Sequence, residues 1–285
     1  MKTKRIYSNN ATYQKFEVLK TNRNKRHRYS QFFVEGVRNI NEAIRNGWQI
    51  ASFIYSDEKP LSQWARNTIA SVKTEGNYEL TSELMKDLSG KDDTSELVAI
   101  VQMRKVGFSQ IHLSEAPLIV VFDRPSNHGN LGTIIRSCDA FVVDGLIITG
   151  HAVDLYEPEV IAASMGSFFK LPVIRIANNE DIFAFIQKLK QRFPGFQVVG
   201  TTAHAEQNPF DVDMSVPSMI MIGNETNGLR RAFKEHADVL VTIPMAEGSA
   251  ASSLNVGCAA SVVLYEAVRQ RRQESPHVRS AEVSR

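Results

Sequence analysis

The stretch PLIVVFDRPSNHGNLGTIIRSCDAF, residues 117–141, changes its period halfway. PLIVVFD is a short apolar run of the kind that forms a strand covered on both faces, whereas Leu131, Ile134, Ile135, Cys138 and Phe141 fall on one face of a helix. Between the two lie Pro125, Asn127, Gly129, Asn130 and Gly132, residue types that end a strand and start a helix. Asn130 is read as the cap of that helix, with Gly129 and Gly132 letting a backbone or ligand come close. A strand that runs through a polar, glycine-containing turn into a helix is the building unit of an α/β fold.

The same unit recurs downstream. GLIITG (145–150), PVIRI (172–176), FQVVGTTA (196–203), SMIMIGNE (218–225) and DVLVTIPM (238–245) read as strands, with helices expected over 158–168, 180–192 and 229–235. The pattern predicts a largely parallel, doubly covered sheet, whose sites lie beyond the C-terminal ends of its strands. Upstream, QFFVEG (31–36), QIASFIYS (49–56) and ELVAIVQM (96–103) alternate with helices over 37–47, 62–76 and 82–89, with Ser62 capping the second. That makes a smaller α/β domain, 31–104. RKVGFSQIHLSEA has no clear period, and 105–116 is expected to be a linker to a larger domain, 117–270, followed by a tail, 271–285.

Charge is nearly balanced at +2 overall but not along the chain. The first thirty residues hold nine Lys or Arg against Glu17 alone, densest in NRNKRHR (22–28), and RQRR (269–272) follows the last helix. The segment 1–30 is therefore a basic arm, either solvated or seeking phosphate. No run approaches the roughly 18 apolar residues of a membrane span, and the N-terminus lacks an apolar signal core, so a cytoplasmic protein is expected. Cys138 and Cys258 fall in predicted helices and read as buried thiols rather than a disulfide. The seven histidines show no ligand spacing, and no metal site is expected.

Three polar segments sit where strands end. In the first, Arg136 points away from the apolar helix face, either solvated or contacting phosphate one turn from a glycine-rich helix start. In the second, MIMIGNETNGL (219–229), Asn227 reads as a helix cap. The Gly-Lys-Ser/Thr ending of a phosphate-binding loop is missing there, and no segment carries a dinucleotide fingerprint. In the third, IPMAEGSAASSLNVGCAASVVLYE (243–266), the helix start is almost bare of side chains although glycine in a helix costs about 1 kcal/mol. Close helix packing and close approach of a ligand both explain it.

Taken together, NLGTIIRSCDAF, IMIGNETNGL and IPM…SSLNV…LYE resemble, in order and wording, the three motifs of the SpoU/TrmH family of SPOUT RNA ribose methyltransferases. FFVEGVRNINEAIRNG is similar to the RNA substrate-binding domain that many members carry, itself like a ribosomal-protein family that binds kinked RNA. The resemblance implies a deep trefoil knot in place of the unknotted connections expected by default. It also implies S-adenosyl-L-methionine held by Thr201, Gly223, Ile243 and Leu254, and homodimers paired through the knot domain. The polar residues it carries over are Asn130, Arg136, Glu225, Ser253 and Asn255, and the reaction is methyl transfer to a ribose 2′-hydroxyl of structured RNA. Ribosomal RNA is preferred and transfer RNA is the alternative; a non-catalytic RNA-binding or ribosome-assembly factor is the reading from another class. The family's part for Arg136 is to activate the hydroxyl with help from an RNA phosphate, with Asn130 and Glu225 orienting it. A guanidinium with a pKa above about 12 is a poor base, so holding phosphate and stabilising oxyanion charge suit Arg136 as well. Two departures stand out: Val142 replaces the usual glycine after Phe141, and the loop before Ser253 is about two residues longer than in many members.

Overall fold

Apolar runs bounded by capped helices become two separate sheets in the computed structural model, which describes residues 3–56, 58–90 and 95–274. The chain divides into two units. In the first, β1 (Thr3–Ile6), α1 (Ala11–Thr21), α2 (Arg23–Tyr29), β2 (Gln31–Glu35), α3 (Val37–Arg45), β3 (Ile50–Tyr55), α4 (Gln63–Ser71), β4 (Asn77–Leu80), α5 (Ser82–Ser89) and β5 (Leu97–Gln102) follow one another. The sheet order is β1-β4-β3-β5-β2, with β5 antiparallel to both its neighbours. The expected basic arm is not an arm. Asn10 and Asn22 cap α1 and α2, and Tyr13, Phe16 and Leu19 put one face of α1 into the core.

The second unit starts at Val106. The expected linker is packed into it: Ile111 is buried, the Phe108 and Phe185 rings stack at 4.3 Å, and the Ser114 amide donates to Asp144 at 2.7 Å. Its aperiodic sequence hid this because isolated anchors, not a face, hold it down. Then come β6 (Leu118–Asp123), α6 (His128–Ala140) and β7 (Gly145–Thr149). The segment Asp154–Lys170, with the short helix α7 (Pro158–Ala163), belongs to the first unit rather than to the domain expected over 117–270. There Arg26, fully buried, donates from Nε to Asp154 at 2.7 Å and from Nη2 to Glu157, while Trp48 Nε1 donates to the Phe169 carbonyl at 2.8 Å.

The second sheet continues with β8 (Val173–Ile176), α8 (Asn179–Arg192), β9 (Gln197–Thr201), β10 (Ser218–Ile222), α9 (Arg231–Glu235), β11 (Val239–Val241) and α10 (Val256–Glu274). Its order is β11-β9-β10-β6-β7-β8, and every pairing is parallel. Ile119, Val121, Ile147, Val198, Met219 and Met221 fill its core against Ile182, Ile186 and Phe233. Strand order reverses between β6 and β10, the place where ligands bind in such sheets. α10 runs to Glu274, past the expected boundary at 270, because Arg271 donates to the carbonyls of Ala116, Pro117, Met214 and Val216. The RQRR cluster thus includes an internal clamp; residues 275–285 of the expected tail lie outside the described residues.

Candidate cofactor and catalytic site

β10 ends at Ile222, and the chain then turns back on itself between Asn224 and Gly228. Asn224 organises the turn. Its amide donates to the Gly228 carbonyl at 3.1 Å, and its side-chain oxygen accepts from Thr226 and Asn227 amides at 2.9 and 3.0 Å. Asn227 is therefore part of this turn and caps no helix; α9 begins later, at Arg231. At Gly223 a Cβ would lie 2.1 Å from the Leu229 nitrogen and 2.3 Å from the Gly228 carbonyl carbon. Only glycine lets the main chain close here.

Beyond the ends of β9, β10 and β11 lies a cavity of about 300 Å³. Thr201, Gly223, Ile243 and Leu254 all line it, as do Glu225 and Ser253. Ala259 and Ala260 of α10 form another part of its wall, so the bare helix start is used by both explanations at once. Gly257 faces α6, where a Cβ would sit 3.0 Å from Thr133 Cγ2, and Ser137 and Ser261 hydroxyls meet at 2.7 Å.

Asn130 and Asn255 do not line the cavity but are joined to its wall. The Glu225 carboxylate accepts from Ser126 N and Oγ at 3.0 and 2.7 Å, from the Asn127 amide at 3.2 Å and from Asn130 Nδ2 at 3.3 Å. Asn130 Oδ1 accepts from Asn255 Nδ2 at 3.0 Å, and Asn255 Oδ1 accepts from the Gly257 amide at 2.8 Å, capping α10. Burial, the largest influence on Glu225, pushes its pKa up. The hydrogen bonds from Ser126, from its own amide and from Asn130 together outweigh that and leave the carboxyl below the ordinary glutamate value. Asn127, not Asn130, caps α6, accepting from the Asn130 amide at 2.8 Å.

Arg136 stands apart. It is exposed on α6, outside the cavity lining, and bonds to neither Asn130 nor Glu225, contrary to the arrangement expected of them. The residues that sequence reasoning missed are Ser126, which holds Glu225, and the buried Asp123, which accepts from Arg230 Nη2 at 2.6 Å and from Thr149 Oγ1 at 2.6 Å. A carboxylate closing an otherwise apolar strand was the one legible signal for Asp123.

The profile of the SpoU rRNA Methylase family matches residues 117–265, and that of the SpoU L30e-like domain matches residues 10–99. The 23S rRNA (uridine(2479)-2′-O)-methyltransferase of Streptomyces viridochromogenes is 40% identical over 269 residues, which cover 94% of this chain and 93% of that protein. Among solved structures, the SpoU methyltransferase AviRb from the same organism, in complex with the cofactor AdoMet, has a TM-score of 0.84 at 40% identity, covering 93% of this chain and 100% of that one. The AdoMet-bound rRNA methyltransferase from Sinorhizobium meliloti has a TM-score of 0.80 at 31% identity, covering 94% and 98%.

Proposed function

The chain belongs to the SpoU rRNA methylase family, and on that premise we propose that it transfers a methyl group from S-adenosyl-L-methionine to a ribose 2′-hydroxyl of ribosomal RNA. The observation that carries the reading is the cavity at the ends of β9, β10 and β11, with its main-chain wall at Gly223 and the polar Glu225–Asn130–Asn255 chain behind it. Its size falls at the lower end of small-molecule sites, and the Gly223–Gly228 turn supplies part of its lining. When bound, the cofactor supplies an activated methyl group on a sulfonium.

The protein's part is alignment. Thr201, Gly223, Ile243 and Leu254 would hold the cofactor. Glu225, Asn130 and Asn255 keep α6, the Asn224–Gly228 turn and the start of α10 in register, and Ser253 faces the incoming ribose. The hydroxyl loses its proton as the new bond forms, and a cation beside it would stabilise the developing charge. Arg136 makes no side-chain hydrogen bond or ion pair among the described residues, and this reading assigns it to RNA at the cavity of a second copy. Pairing is supported by Val262 and Tyr265, one turn apart on α10 and 43% and 60% exposed. The knot also belongs to the proposal. It is supported by the chain's route from the edge strand β11 to α10, which packs on α6 beyond β9 and β10. No helix among the described residues is long and apolar enough to cross a membrane, and the cytoplasm is the compartment this reading requires.

The test is transfer of tritium from labelled cofactor to size-fractionated RNA from cells lacking the protein, followed by alkaline digestion. Alkali-resistant label in 23S rRNA, lost in Arg136→Ala with cofactor affinity retained, is expected. Label in tRNA would move the substrate class, and absence of both label and cofactor binding would leave an RNA-binding factor.

A further inference from the structure

Next to the cavity, against the Asn224–Gly228 turn, the strand ends gather positive charge outside the cavity lining. Arg124 follows β6 with φ of +55°, a left-handed backbone that is disfavoured for a non-glycine residue. Its carbonyl accepts from Asn224 Nδ2 at 2.7 Å, its Nε donates to Asp123 at 3.1 Å, and its Nη2 donates to the Gly228 carbonyl at 3.2 Å. Gly150 makes room for it: a Cβ there would be 2.7 Å from Arg124 Cγ. Arg230 bonds the same carboxylate at 2.6 Å through Nη2, which also donates to Thr149 and Asn179. A third guanidinium, that of Arg175, donates to the Gly150 carbonyl at 2.8 Å.

The charges at this spot do not cancel. Arg124 and Arg230 share Asp123, which is wholly buried, while their own side chains are 23% and 31% exposed. The Glu225 carboxylate on the neighbouring turn keeps its negative charge, being held by the neutral donors of Ser126, Asn127 and Asn130, so the guanidinium groups of Arg124, Arg175 and Arg230 outnumber the two carboxylates by one. The Nη1 atoms of both Arg124 and Arg230 make no hydrogen bond among the described residues. A backbone held in a disfavoured conformation, a glycine vacated for the side chain and leftover donors on a net cation describe a built anion site.

We infer that Arg124, with Arg230 behind it, binds a backbone phosphodiester of the RNA whose ribose enters the cavity, so that the turn bearing Gly223 and Glu225 is braced against the substrate itself. The inference rests on the RNA reading above. Its test is therefore the salt dependence of RNA binding, which can be read whether or not methyl transfer occurs.

Arg124→Gly is the informative variant, because glycine keeps the left-handed turn and the carbonyl that holds Asn224 while removing the guanidinium. Binding of transcribed 23S rRNA is measured across a salt series for wild type, Arg124→Gly and Arg124→Lys, with cofactor affinity and methyl transfer measured on the same preparations. One lost phosphate contact should lower RNA affinity about tenfold at low salt and reduce the log–log salt slope by about 0.7–0.9. Arg124→Lys should restore most of the slope, and cofactor affinity should stay within about twofold. An unchanged slope in Arg124→Gly, or a loss of RNA binding matched by a loss of cofactor binding, would show a purely structural clamp and overturn the inference. Wild-type protein that binds RNA without methylating it would sink the enzymatic reading and still leave the slope to decide on Arg124.

Discussion

A methyl group on Gly223 would land 2.1 Å from the Leu229 nitrogen, a contact that no rotamer change relieves because the obstacle is backbone. Gly223→Ala should therefore shift the Asn224–Gly228 turn, cost about 3 kcal/mol or more, and abolish cofactor binding; thermal unfolding and calorimetric titration would read both. Glu225 acts by charge. Its pKa is held below the ordinary value, so its stabilisation is complete above the pH where unfolded glutamate titrates and is lost as pH falls through the lower, folded value. Glu225→Gln should cost about 1.5 kcal/mol at pH 7, and the gap from wild type should close on acidification below the ordinary glutamate range in a series of melting curves. A gap independent of pH would mean that shape rather than charge matters there. Cys138 is buried, which pushes its thiol up, whereas Cys258 is exposed, against the expectation that both are buried. The helical pattern marked the element, and only packing showed which face Cys258 takes.

Asn127 and Asn130 are three apart, and sequence alone favoured the second; the folded chain uses Asn127 as the cap and frees Asn130 to bridge Glu225 and Asn255. The end of α6 is less well served. Val142 has φ of +55° and is 84% exposed, so it bears left-handed strain with little burial in return. Val142→Gly should stabilise the protein by about 1 kcal/mol, raising the melting temperature by a few degrees. No gain would mean that its side chain is covered in the assembled protein. Helix α10 reads in sequence as short of side chains for one of two reasons, and the structure gives it both neighbours: α6 on the Gly257 side and the cavity on the Ala259 and Ala260 side.

Over the whole molecule, the basic N-terminus divides into residues of different kinds. Arg26 is fully buried, and its guanidinium ties α2 to Asp154 and Glu157 of a segment far along the chain. Arg26→Met should cost about 3–5 kcal/mol by leaving those carboxylates without their partner, with no change in the salt slope of RNA binding. Arg28, exposed two residues later, should behave oppositely: Arg28→Ala should leave the melting temperature within a degree or two and lower RNA affinity most at low salt. If both variants altered the salt slope equally, the buried clamp would not be the structural element its burial indicates.

The α/β class, the parallel second sheet, the small-residue helix and the family are all legible in the order of residues along the chain. Strand period, helix caps and motif wording are local, and each is written in a few consecutive residues. Folding settles the rest: which asparagine caps α6, that Arg136 lies outside the cavity lining, that residues 105–116 are packed, and that Asp154–Lys170 belongs with the first unit. Most of these depend on contacts between residues tens to more than a hundred positions apart, such as Arg26 with Asp154, or Asn130 with Asn255, which takes Asn130 away from the local cap. Charge and polarity fix what such residues can bond to, and only the folded chain fixes which partner comes within reach.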